Sequence, residues 1–128
     1  MNKSDLEMAF RLRPIAFKES DKVDEEIKRI EAKIREMEEA GRPVDECLKM
    51  ALDTSYAELK KIYQLITLHS KAKWQMDYTE EKIMEYRFSN GFSEPAKWKD
   101  VAEKLGLNRS TVERKYKKIV DRLTLEVE

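Results

Sequence analysis

The sequence of 128 residues is poor in the residues that most often carry chemistry or break helices, with one cysteine, one histidine, three glycines and three prolines. A lone cysteine excludes an intrachain disulfide and a thiolate zinc cluster. A lone histidine, His69, has no catalytic or ligand partner of its own kind; three residues after Ile66 on a helical stripe, it reads as a structural or surface residue. Gly-rich phosphate loops, Walker patterns and nucleophile elbows are missing, so the expectation is a protein that is not an enzyme and holds no cofactor and no metal. So few glycines and prolines cannot supply the turns of a many-stranded sheet, which excludes an all-β fold. No apolar run exceeds three residues, whereas a spanning helix needs about 20 and the core of a signal peptide about 7. The chain is expected to be soluble and cytoplasmic, without a membrane partner.

Charge is what the sequence has in abundance. Asp, Glu, Lys and Arg make up 41% of it, and 26 acidic residues balance 26 basic ones. The balance hides a segregation. From Lys97 to Arg122 there are nine basic and four acidic residues, a net of +5, while the remainder carries 17 basic against 22 acidic, a net of −5. The carboxylates of Asp24-Glu25-Glu26 and Glu38-Glu39 stand at helical spacing from Lys28, Arg29 and Arg35, the pattern of a solvated, salt-bridged face rather than of paired catalytic acids.

The apolar spacing predicts an all-α fold. Ser4-Asp5-Leu6-Glu7 has the capping-box spacing and predicts a short helix running toward Arg13, before Pro14. From Ser20 to Ala40, Val23, Ile27, Ile30, Ile34 and Met37 form a seam with steps of four and three, closed by Gly41 and Pro43. A second long helix is expected from about Val44 to about Gln75, with Leu48, Leu52, Leu59, Ile62 and Ile66 on one side and Tyr56, Tyr63 and Leu68 widening the stripe. Cys47, beside Leu48, is expected to be a buried, inert thiol. Two arrangements satisfy these seams: the helices fold back on each other as a coiled-coil-like hairpin, or the narrow first seam pairs with a second copy, giving a homodimer through residues 20–75. A domain boundary is placed near 77, dividing a hairpin for interaction or oligomerisation, residues 1–76, from a C-terminal domain, residues 77–128.

Beyond Thr79, where a helix start lacks a full capping box, the pattern changes. A short helix carries Ile83, Met84, Tyr86 and Phe88, the loop Ser89 to Pro95 follows, and two helical stripes come within a few residues of each other. Trp98, Val101, Ala102 and Leu105 lie at helical spacing, Gly106 supplies a turn, and Asn108 suits the N-cap of a helix with Val112, Tyr116, Ile119 and Leu123 on one side. A helix-turn-helix needs a small residue at the crossing, a residue tolerant of positive φ in the turn and an apolar anchor on its second helix; Ala102, Gly106 and Val112 fill these places. With Val112 toward the core, Ser110, Arg114 and Lys117 point away from it, flanked by Glu113 and Lys118, a face suited to the major groove. The competing reading is a three-helix bundle whose basic face is only solvated.

The run Val101-Ala102-Glu103-Lys104-Leu105-Gly106-Leu107-Asn108-Arg109-Ser110-Thr111-Val112, with Val120 and Leu123 after it, resembles the C-terminal, region-four helix-turn-helix of bacterial sigma factors. The segment from Ile83 to Gly91, with Arg87-Phe88, is similar to the helix that precedes that motif. Together with a charged helical N-terminal half, the plan resembles late-gene transcription activators of phages and prophages of the RinA and ArpU type. The resemblance implies contacts to bases and phosphates at Arg109, Ser110, Thr111, Glu113 and Arg114. It implies a sequence-specific regulator that binds double-stranded DNA, its N-terminal helices engaging a second copy or RNA polymerase. Nothing upstream looks like the sigma region that melts promoters, and the loop through Ser93 to Ala96 is longer than the usual sigma connection. Two rivals come from other classes: a phage DNA-packaging recognition subunit, and an inhibitor that captures a host protein through the acidic helices.

Overall fold

The computed structural model describes residues 2–126. Six α-helices and one 3-10 turn account for the elements, and no strand occurs among the described residues: α1 (Lys3–Leu12), the 3-10 turn Arg13–Ile15, α2 (Ala16–Glu39), α3 (Glu46–Trp74), α4 (Tyr78–Arg87), α5 (Trp98–Leu105) and α6 (Arg109–Glu126). The all-α reading holds. No helix among the described residues is long and apolar enough to cross a membrane.

Local chemistry explains the boundaries, and several differ from those expected. Asn2, not Ser4, caps α1, its side-chain oxygen accepting from the Asp5 amide at 2.8 Å. Pro14 does not end the helical path: it sits in the 3-10 turn, and α2 begins at Ala16 rather than Ser20. Proline has no N–H and is tolerated where a first turn has no acceptor for one. Gly41 ends the α2 segment in a left-handed conformation, φ 70°, with Arg42 N bonded to Met37 O and Gly41 N to Glu38 O, a Schellman closure. Asp45 opens α3 by accepting from the Cys47 amide at 2.8 Å. Cys47 therefore lies in the first turn, ahead of the apolar stripe, and it is exposed, contrary to the buried thiol expected of it.

The chain forms two compact units, residues 16–64 and residues 1–15 with 65–128, the division falling within α3. In the first unit Ala16, Ser20, Val23, Ile27 and Ile30 are buried along α2, while Ile34 and Met37 are half-buried. On α3, Leu48, Leu52, Leu59 and Ile62 are also half-buried, and Met50 and Tyr56 are exposed. The sequence boundary near 77 does not coincide with this division, because α1 and the end of α3 share a core with the C-terminal helices.

That second unit has two adjoining apolar clusters. One gathers Leu6 and Phe10 of α1, Ala72 of α3, Met84, Phe88, and Ile119, Val120 and Leu123 of α6. The other gathers Ile83, Val101, Ala102 and Val112, with Trp98, Leu105 and Leu107 against it. Tyr116 packs against both. Consecutive residues of α4, Ile83 and Met84, are fully buried in different clusters, so α4 is the wall between them. Each large side chain buried this completely stabilises the fold by about 1.5–3 kcal/mol.

Candidate nucleic-acid interface

The interface is built on the turn between α5 and α6. Gly106 caps α5 with φ 65°, and Leu107 N bonds to Ala102 O at 3.0 Å while Gly106 N bonds to Glu103 O at 3.2 Å. A left-handed residue here costs an L side chain about 1–2 kcal/mol and glycine nothing. Leu107 follows the cap onto the Val101–Ala102 cluster, and Asn108 leads into α6 with its carbonyl accepting from Val112 N. Ala102 is 4% exposed and Val112 is fully buried, which brings the two helices together at a small residue.

Aromatic and cationic side chains hold the pair to α4. Arg87 stacks its guanidinium 4.3 Å from the centre of the Trp98 ring and donates to Ala96 O, while Ala96 N returns a bond to Arg87 O. Trp98 in turn meets Tyr116 at 4.8 Å between ring centres. Lys104 lies over Tyr86 at 5.2 Å. The loop from Ser89 to Lys97 is thus closed at its base, and Asn90 spans it by donating to Glu94 O at 3.2 Å. The N-terminus of α4 has a complete capping box that the sequence reading missed at Thr79: Asp77 accepts from the Glu80 amide and Glu80 accepts from the Asp77 amide. The signal was legible as an acid followed three residues later by another.

The residues singled out in the sequence lie along the first three turns of α6. Ser110, Arg114, Lys117 and Lys118 are exposed, Thr111 and Glu113 are half-buried, and Arg109 is exposed. They are not equivalent. Arg109 donates to Glu113 at 3.2 Å one turn along, so this acid neutralises the first cation of the face. Arg114, Lys117 and Lys118 form no ion pair among the described residues. Arg114 and Lys118 share an open groove of about 290 Å³ with Lys115, Arg122, Asp77 and Glu80. Arg122 is committed within it, donating to Glu80 at 2.8 Å and to Gln75 O at 3.0 Å. The net result is a row of cations on α6, with Glu113 and Glu80 tied up at its ends and one exposed acid, Asp121, on the same side, able to bind phosphates and to offer a guanidinium to a base edge.

No group of three or more His, Cys, Asp or Glu is placed to hold a metal ion among the described residues. His69 meets Phe10 edge-on at 4.6 Å, and burial, aided by Arg13 and Lys73, lowers its pKa. Burial and the bond to Glu7 push the Tyr116 phenol above its ordinary value, which keeps it a proton donor. Comparison with protein-family models, with curated proteins and with solved structures finds no match for this chain.

Proposed function

We propose that this chain is a sequence-specific DNA-binding transcription regulator, in which α6 enters the major groove and the remaining helices of its unit hold it in place. The observation that carries the reading is the pairing of a closed α5–Gly106–α6 turn with the exposed, unpaired cations Arg114, Lys117 and Lys118 on the outer side of α6. On that side of the helix the three free cations outnumber the one free acid, Asp121, which leaves a net positive face. Ser110 and Thr111 add short hydroxyls at the helix start, where side chains of recognition helices approach base edges. The half-buried seam along α2 and α3 suits a second copy or RNA polymerase, and the sigma-like motif favours a phage or prophage regulator of late genes. Selection of bound duplexes from a random-sequence pool with the full chain tests the reading. Enrichment of one motif is expected; equal retention of all sequences at physiological salt overturns it.

A further inference from the structure

In the unit of residues 16–64 the two helices bury their apolar residues unequally. On α2, Val23, Ile27 and Ile30 are buried, whereas the only buried side chain of α3 in this unit is the polar Ser55. Leu48, Leu52, Leu59 and Ile62 are half-buried, Tyr56 is 48% exposed and Tyr63 is 51% exposed. The stripe of α3 is thus wider than the cover it has. One pair of helices leaves such a remainder when it lacks the second pair that a four-helix bundle packs against it.

The charges beside the stripe indicate what the second pair is. Leu52, Tyr56, Leu59 and Tyr63 follow at steps of four, three and four, the spacing of a helix–helix seam. Asp53 and Lys60 flank that seam on one side, one heptad apart; both are exposed and neither forms an ion pair among the described residues. An acid and a base so placed are self-complementary for two antiparallel copies, because the acid of each meets the base of the other, twice, about a two-fold axis. A parallel pairing leaves both without an opposite charge. We propose that α3 packs antiparallel against α3 of a second copy through Leu52, Tyr56, Leu59 and Tyr63, with Asp53 of each copy paired to Lys60 of the other. The proposal rests on the reading of the α2–α3 seam as an interface, commits it to a second copy, and is independent of DNA binding.

Sedimentation equilibrium of the full chain, without DNA, tests it with the wild type, Asp53→Lys, Lys60→Asp and the variant carrying both changes. Circular dichroism melts establish that each variant is folded. A monomer–dimer equilibrium is expected for the wild type. Each single reversal sets like charges together twice and should weaken self-association about tenfold, and the double exchange should restore it. An equimolar mixture of the two single variants, in which every acid again meets a lysine, should dimerise as the wild type does. A wild type that stays monomeric at millimolar concentration overturns the pairing, as does a particle of more than two copies. Single variants that dimerise as tightly as the wild type overturn this face as the interface. Weakening that neither the double exchange nor the mixture repairs overturns the antiparallel arrangement.

Discussion

The phenol of Tyr116 on α6 donates to the carboxylate of Glu7 on α1 at 2.9 Å, joining residues 109 positions apart. Burial of the ring and the partner carboxylate together hold the phenol in its protonated form. Tyr116→Phe removes the donor and keeps the ring contacts with Trp98 and Phe88, so a loss of about 0.5–1.5 kcal/mol is expected. Urea unfolding of Tyr116→Phe, Glu7→Gln and the double variant checks it; losses that simply add would show no coupling between the two residues.

The same relationship bears on dissection of the chain. A fragment of residues 77–128 lacks Leu6, Phe10 and Ala72, which cover Ile119 and Leu123. It is expected to lack a cooperative thermal transition and to bind duplex poorly. Adding back residues 1–76 in the intact chain restores both. A fragment that melts as sharply as the full chain would show that α1 is dispensable to the core.

Ala102→Leu tests the crossing of α5 and α6. Three further carbons at a site 4% exposed force the helices apart or displace Val112, at a cost of about 1–3 kcal/mol. A melting temperature equal to the wild type's would place Ala102 away from the crossing.

Arg114→Ala and Lys118→Ala separate base reading from phosphate binding. Loss of the guanidinium should cost about 1–3 kcal/mol on the preferred site and relax preference at one base pair. Loss of Lys118 should weaken binding to all duplexes alike and lower the slope of log K against log salt by about 1. Both line one groove, so the contrast is read by titrating each variant with preferred and scrambled duplexes at several salt concentrations. Equal losses on both duplexes would make α6 a phosphate-binding surface alone.

His69 sets a pH dependence. Its folded-state pKa lies below the unfolded value of about 6.5, so the unfolded chain binds more protons as the pH falls. The stability contributed is fully present above about pH 6.5 and declines as pH drops from there toward the folded pKa. His69→Gln should show a shallower loss of urea midpoint between pH 7 and pH 5.5 than the wild type. Parallel curves would mean that His69 titrates alike in both states.

How much of this could be read in the sequence depended on how local the cause was. The stripe of Val112, Ile119 and Leu123, the crossing at Ala102 and the cap at Gly106 follow from helical spacing and from one glycine, and the structure has them as expected. The place of α1 did not follow, because nothing in Leu6 or Phe10 names a partner more than a hundred residues away. Arg87 was counted only as sequence resemblance; its stack on Trp98 depends on how the intervening loop closes. Arg122 was counted among the basic residues of the C-terminal segment, yet its guanidinium is taken by Glu80 and Gln75, a pairing set by the fold rather than by helical spacing. Cys47 went the other way from expectation because its position relative to the cap at Asp45, one residue of phase, decides which side of the helix it takes.

The joining of α1 to α6 also orders events during synthesis. Leu6 and Phe10 leave the ribosome more than a hundred residues ahead of the side chains that cover them, Ile119 and Leu123. Through that interval the first helix has no completed core to enter, and α5 and α6 have no finished scaffold. The α5–α6 pair is therefore completed in a late step, when α6 closes over α1, and a ribosome that stalls before residue 119 releases a chain with α1 and without that pair.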